Sequence, residues 1–217
     1  MSVLLRLRNA PLAMLDPLPG LDVRRERDAA TMADAQQRSR KEIARRFAAG
    51  HRAYVARLDG EIAAWGWVAT REATIGELGI TVRLEPDDRY LWNFVTRPGH
   101  RGRGIYPRLL QAILRAEAGE TGRCWIAHAP ENAASASGIR RAGFTAVAEL
   151  SFDAAGRPAL RAIDARESGT ASRVLALATT ADALTPCWRC VRAGRPAMSC
   201  APGSCRCDSQ RPERDCA

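Results

Sequence analysis

The stretch Phe94-Val95-Thr96-Arg97-Pro98-Gly99-His100-Arg101-Gly102-Arg103-Gly104-Ile105-Tyr106 decides how this chain is read. An apolar strand pattern ends at Thr96, a loop with Gly99, Gly102 and Gly104 follows, and a helical pattern starts at Ile105. Glycine removes the Cβ that would keep backbone N–H groups from converging on one point. A helix N-terminus adds unpaired N–H donors and the positive end of a dipole. Arg101 and Arg103 add charge-assisted donors that suit phosphate oxygens. Strand, glycine loop and helix in that order build phosphate sites. An anionic ligand is therefore expected here, and the plainer alternative is a solvated basic turn.

The pattern extends outward on both sides. Val3–Arg8 alternates apolar and basic residues, as a half-buried strand does. Pro11, Pro17, Pro19 and Gly20 then break the chain. Residues 28–49 are rich in Ala, Gln, Arg and Glu, with Ile43 and Phe47 one turn apart and Gly50 as a stop, and they predict one helix. His51–Leu58, Asp59-Gly60 and Glu61–Thr70 read as strand, tight turn and strand. The second of these strands is apolar on both faces, as a central strand is. Gly76–Leu84 and Arg89–Thr96 predict two more strands. Ile105–Ala118 carries Leu109, Leu110, Ile113 and Leu114 on one side, a helix that tolerates Pro107 in its first turn. Arg123–Ala129 reads as a strand, Ala133–Ala142 as a short helix stopped by Gly143, and Thr145–Phe152 as a strand, with a last strand over 157–164. Hairpins first and a strand–loop–helix–strand unit in the centre predict an α+β fold around one sheet.

Composition narrows the classes. A chain of 217 residues holds one ordinary domain and an appendage. Apolar and charged fractions of 46% and 26% exclude wholesale disorder, collagen and coiled coil. The longest apolar or glycine run, Ile62–Ala69, is far below the roughly 20 residues that span a bilayer, so no membrane association is expected. The N-terminus holds Arg6 and Arg8 inside its apolar stretch and lacks a signal-peptide core, which predicts a cytoplasmic protein. The net charge of +9 is almost all arginine, because Lys41 is the only lysine. The excess is spread along the chain rather than gathered in a stripe, which argues against a nucleic-acid surface.

At the central loop the sequence resembles the GNAT superfamily of acetyl-CoA-dependent N-acetyltransferases. That family's loop pattern is Arg/Gln-x-x-Gly-x-Gly/Ala, and Arg101, Gly104 and Tyr106 occupy the three positions, with Tyr106 in place of the usual small residue. A second family motif is an Asn followed by Gly-Phe, matched by Asn132 and Gly143-Phe144, with Ser135 where a small residue is expected. The resemblance covers residues 3–165. It implies a GNAT-like central mixed, mostly antiparallel sheet with splayed fourth and fifth strands, flanked by helices. It further implies that Phe94, Val95 and Thr96 meet the pantetheine and acetyl group, and that Arg101, Gly102, Arg103, Gly104, Ile105 and Tyr106 hold the pyrophosphate. Asn132, Ser135 and Ser137 would contact the co-substrate from the far side. The implied partners are acetyl-CoA and a primary amine, small molecule or protein, and the sequence is compatible with a homodimer.

Transfer by direct attack needs a neutral amine, a base, and a donor for the developing oxyanion. An alkyl amine has a pKa of about 10.4, so a base must take its proton. The backbone N–H of Val95 is the expected oxyanion donor. Ile139 stands where many relatives carry a proton-donating Tyr, and the strand Tyr90–Thr96 has no carboxylate. Glu77, expected in a neighbouring strand, and His128, at the end of the fifth strand, are the remaining candidate bases, and each also reads as structural. Tyr106 offers a hydroxyl to a thiolate or phosphate, or simply packs. Trp65, Trp67 and Trp92 read as sheet core rather than as an acceptor pocket, and Cys124 as a small buried hydrophobe.

Six of the seven cysteines lie at or beyond Cys187. Cys187-x2-Cys190 is one half of many zinc sites, with Cys200 and Cys205 as the other half, but the spacing matches no familiar zinc module. A reduced, disordered Ala/Thr- then Cys/Arg/Pro-rich tail over 166–217 is the preferred reading. The expected domain is then 1–165. Two readings from other classes stand beside the acetyltransferase: a non-catalytic acyl-CoA-binding module, and a basic, zinc-tailed nucleic-acid-binding protein.

Overall fold

The computed structural model describes residues 1–7, 10–12, 14–153, 155 and 157–181, without the side chains at 2, 6 and 77. The tail cysteines, including the zinc candidates Cys187, Cys190, Cys200 and Cys205, lie outside the described residues. Strands β1 (Ser2–Leu7), β2 (Leu21–Glu26), β3 (Arg52–Leu58) and β4 (Glu61–Ala69) precede a small hairpin of β5 (Glu72–Ile75) and β6 (Ile80–Arg83). Then come β7 (Asp88–Thr96), β8 (Arg123–His128), β9 (Thr145–Phe152) and β10 (Pro158–Ala162). Helices α1 (Ala29–Gln36) and α2 (Arg40–Ala48) join β2 to β3, α3 (Ile105–Glu117) joins β7 to β8, α4 (Ala133–Arg141) joins β8 to β9, and α5 (Ser168–Leu175) follows β10. The main sheet runs β10-β9-β1-β8-β7-β4-β3-β2. The pair β7–β8 is parallel and its other pairs are antiparallel. The fold is thus α+β with a mixed, mostly antiparallel sheet flanked by helices.

One face of the sheet packs on α3 and α4. Ile105, Leu109, Leu110 and Ile113 of α3 and Ile139 of α4 are buried there beside Leu4, Leu91 and Ile126. Each such side chain contributes about 1.5–3 kcal/mol. The other face has two covers. Over β3 and β4 lie α1 and α2, burying Met32 and Ile43 against Trp65 and Trp67. Over β1, β8 and β9 lie the β5–β6 hairpin and α5, burying Ile75, Val82, Val174 and Leu175. Among the described residues no helix is long and apolar enough to cross a membrane.

Several elements depart from expectation, each for a local reason. The helix expected over 28–49 is two helices. Gln37 turns left-handed at φ 53° to close α1, and Ser39 accepts from the Glu42 N–H to start α2. Ser39 and Glu42 hold the spacing of a capping box, which marks a helix start. The strand expected over Gly76–Leu84 is the far half of a hairpin whose 3-10 turn, Gly76–Leu78, precedes a left-handed Gly79. Strand β2 was hidden because only Leu21 and Val23 alternate inward along a charged edge strand. Strand β1 is not half-buried: it is inserted between β8 and β9, with Val3, Leu4 and Leu5 all buried. The packed body also runs past residue 165. Helix α5 buries Ala171, Val174 and Leu175, and the Leu160 N–H and C=O bond to Ala178 and Thr180, each at 2.8 Å.

Buried charges fix the first halves of β7 and β8. Asp88, fully buried, accepts from Arg123 Nε at 2.7 Å and Trp125 Nε1 at 3.1 Å. Arg89 donates to the fully buried Glu117 at 3.0 Å, and Arg52 and Tyr54 donate to the same carboxylate at 2.6 Å each. Charges this deep are held by close pairing, at Asp88 through Oδ1 alone, since its Oδ2 has no partner among the described residues. The network locks one end of the parallel pair and leaves the other end free to part.

Candidate functional site

The β7–β8 register runs from Asp88↔Arg123 to Leu91↔Ile126 and stops there. Strand β7 continues to Thr96 and β8 to His128, so past Leu91 and Ile126 the two are unpaired and a gap opens in the sheet. Trp92, Val95 and Thr96 keep their pairing to β4 on the other side. Across that ladder Asn93 and Phe94 together face Gly66, a bulge in which Asn93 has φ 52°. Gly66 is required by Phe94: a Cβ at Gly66 would overlap the Phe94 ring. An isolated glycine in a strand pattern, here Trp65-Gly66-Trp67, is the sequence signal of such a close approach.

The ladder also settles which backbone groups face the gap. Arg97 N–H donates to Ala63 C=O at 2.9 Å. Antiparallel bonding alternates along a strand, so the Val95 N–H turns to β4 and the Thr96 N–H turns to the gap. The oxyanion donor expected at Val95 is thus engaged in the sheet, and Thr96 presents the open N–H. Phe94, Val95 and Thr96 are all half-buried. Phe94 packs on the α3 face and Val95 on the α1–α2 face.

The loop follows β7 directly. Gly102 (φ 76°) and Gly104 (φ 71°) are left-handed, a conformation that favours glycine. Gly104 caps α3 without any side-chain acceptor, so the first-turn N–H groups of α3 lack a side-chain partner. Arg101 and Arg103 are exposed, and Arg101 Nε donates to Thr96 C=O at 3.2 Å. Arg108 braces the turn, donating to Gly104 C=O at 2.8 Å and twice to Asp16 C=O. Ile105 is core. Tyr106 spans from α3 to the gap wall, with its ring 5.5 Å from the Phe94 ring and its hydroxyl 3.4 Å from Ser135 Oγ. Gly138 makes room for that ring, since a Cβ there would overlap it. Burial pushes the Tyr106 hydroxyl up to about 12, so it stays protonated at neutral pH.

The remaining predicted residues separate. Asn132 caps α4, accepting from the Ser135 N–H at 2.9 Å, and Ser137 is exposed on that helix. His128 is buried at the gap end of β8, with Nδ1 2.9 Å from Ala129 C=O. A carbonyl only accepts, so Nδ1 donates to it and Nε2 is the ring nitrogen left to take a proton. Glu77 is not in a strand but in the turn between β5 and β6, and its side chain lies outside the described atoms. Ile139 is fully buried among core residues. Cys124 is buried, and burial pushes its thiol up to about 12, as suits a small core hydrophobe.

A model of the acetyltransferase (GNAT) family matches residues 21–144. No curated protein matches this sequence. Among solved structures, a GNAT-family protein from Novosphingobium aromaticivorans is 22% identical with a TM-score of 0.43, over 67% of this chain and 59% of that one. A GCN5-related N-acetyltransferase from Kribbella flavida is 16% identical with a TM-score of 0.42, over 67% of this chain and 53% of that one. yncA from Salmonella typhimurium, solved with its cofactor acetyl-CoA, is 15% identical with a TM-score of 0.44, over 61% and 83%. The chain therefore spans little more than half the length of the first two.

Proposed function

The chain belongs to the GNAT family of acetyltransferases, and from that premise we propose that it transfers an acetyl group from acetyl-CoA to a primary amine by direct attack. The observation that carries the reading is the parted β7–β8 pair, open beyond Leu91 and Ile126, with the glycine loop and uncapped α3 at its mouth. These residues fit the co-substrate. The free edge of β7 offers backbone groups to pantetheine amides, and Gly102, whose Cβ would meet nothing within 4 Å, leaves open space beside the α3 donors for a pyrophosphate.

Acetyl-CoA when bound supplies a thioester: the amine nitrogen bonds to the acetyl carbon, the C–S bond breaks, and the coenzyme leaves as its thiol. The chain's part is positional and electrostatic. The Thr96 N–H donates to the acetyl oxygen as charge gathers there. His128 takes the amine proton at Nε2, because Nδ1 is committed to Ala129 C=O. Tyr106, held protonated by burial, is the acid for the leaving sulfur. Arg101 and Arg103 hold phosphate charge at the rim. Glu77 is the alternative base.

The test is calorimetry with acetyl-CoA together with thiol release in the presence of amines. Gly104→Val should weaken acetyl-CoA binding at least tenfold, about 1.4 kcal/mol, with melting used to verify the fold. Gly102→Val separates bulk at the loop from displacement of Arg108. His128→Gln should lower kcat by about 10²–10⁴-fold with acetyl-CoA affinity retained. Wild-type kcat in that variant and a loss in Glu77→Gln would move the base to Glu77. Unchanged acetyl-CoA affinity in both glycine variants would remove the proposed cradle.

A further inference from the structure

The α1–α2 face carries a cluster that the transfer chemistry does not use. Trp65 and Trp67 of β4 and Trp92 of β7 lie together there, with Trp67 fully buried and Trp65 only 7% exposed. Arg46 of α2 stands over Trp67 and Trp92, 5.3 and 5.0 Å from their ring centres, and Arg97 stands 6.0 Å from the centre of Trp65. His51 meets Trp92 edge-on at 5.1 Å. Trp65 and Trp67 are core, as their apolar pattern predicted, and Trp92 is half-buried against them, yet the cluster holds unmet polar groups.

Six buried polar side-chain atoms have no partner among the described residues, and four of them are here: Trp65 Nε1, Trp92 Nε1, Gln36 Nε2 and His51 Nδ1. The two indole nitrogens can only donate. The Gln36 oxygen already accepts from Arg46 and Trp67, which fixes its Nε2 as a third unpaired donor. A buried donor left unpaired is costly, and folded proteins keep few of them. Charge is one-sided as well. Glu42 is engaged by Arg46 and Arg38, whereas the Arg97 guanidinium has no hydrogen bond or ion pair among the described residues. At Trp65 and Arg97 the cluster has a donor and a cation with no paired acceptor or carboxylate among the described residues, whereas Glu42 serves Arg46 and Arg38 and Glu72 acts on His51.

Its place in the fold says what would supply them. Trp92 is the first residue past the last β7–β8 pair. It packs against both covers of this face, the α1–α2 cover and the hairpin–α5 cover, so it marks the seam between them. Val95, from the gap end of β7, packs on the same cluster. The cluster thus meets the sheet gap from the face opposite the glycine loop.

We propose that this cluster recognises the acceptor, and that the acceptor is a small amine carrying a carboxylate, an amino acid or a close analogue. The inference rests on the acetyltransferase reading. The carboxylate pairs with Arg97 and draws it off Trp65, which opens the indole N–H to the same oxygens, and the neighbouring rings take the apolar part. The neutral amine is then presented at the gap. Its nitrogen bonds to the acetyl carbon as the C–S bond breaks, and its proton passes to His128. Polycationic amines are repelled by Arg97, whose charge has no paired carboxylate among the described residues.

The experiment uses the full chain with the standard amino acids as acceptors, the best of them compared with its own carboxamide and with spermidine. Two readouts are taken: tryptophan fluorescence on titration without acetyl-CoA, and thiol release with it. The expected result is at least tenfold higher kcat/KM for the amino acid than for its amide or spermidine. Arg97→Gln should raise the amino-acid KM at least tenfold and abolish the preference over the amide, leaving the acetyl-CoA KM unchanged. Trp65→Phe, which keeps an aromatic ring but deletes the donor and some bulk, should weaken amino-acid binding in the fluorescence titration. Equal or better turnover of the amide or spermidine, or an unaltered preference in Arg97→Gln, overturns the inferred site and leaves the transfer reaction standing. Carboxylate-selective binding without thiol release keeps the site and removes the transfer reaction.

Discussion

Gly66→Ala tests whether the gap wall is built as described. Gly66 lies in a central strand opposite the Asn93–Phe94 bulge, and its new Cβ would overlap the Phe94 ring and reach to 2.7 Å from Cζ. The ring sits between β4 and Tyr106 and cannot yield without leaving the wall. Overpacking of this kind costs about 1–3 kcal/mol. Phe94→Ala alone should cost about 2–3 kcal/mol, below the ~3–5 of a fully buried Phe because this ring is half-buried. In the double variant the added methyl has nothing to strike, so it should be no less stable than Phe94→Ala. The coupling would then be about 1–3 kcal/mol, well outside the ~0.5 kcal/mol scatter of independent sites. Urea unfolding of the four proteins gives the cycle. Calorimetry should show Gly66→Ala binding acetyl-CoA about tenfold more weakly, ~1.4 kcal/mol. Additive stabilities, or full affinity in Gly66→Ala, would refute the placement of Phe94 on Gly66 at the gap.

Two further outcomes follow from the packing. A chain ending at residue 165 loses Val174 and Leu175, about 3–6 kcal/mol at ~1.5–3 kcal/mol each, and should melt well below one ending at 181, as calorimetric scans would show. His51 is held below its ordinary value of 6.5 by burial and then by Arg46. The unfolded chain therefore binds that proton more readily than the fold, so the His51 contribution is complete above pH 6.5 and is lost as pH falls below it. Stability of His51→Gln should vary less between pH 7 and 5 than that of the wild type, and identical slopes would remove His51 from the pH response.

Much of this protein is set locally. The glycine loop, the strand before it and the helix after it are legible because φ-permissive glycines, a strand period and a helical period occur in immediate succession from Phe94 to Leu114. The hairpin at Asp59-Gly60 and the stop at Gly143 are equally local, and so is the capping box at Ser39, although the single helix expected over 28–49 ran through it. What the tertiary structure decided depends on groups distant in sequence. Strand β1 is buried on both faces only because β8 and β9 close around it, a pairing its alternating residues do not encode. The gap exists because Asp88, Arg89, Glu117 and Arg123 lock one end of β7 and β8 and nothing pairs the other. The open N–H belongs to Thr96 rather than Val95 because a ladder bond at Arg97 sets the phase of the strand, and phase is a property of two strands together. Tyr106 is accommodated by the absence of a side chain at Gly138, on another helix. Residue types and periods act over a few positions of chain, whereas register, face and the partners of buried polar groups are fixed only when separate elements meet.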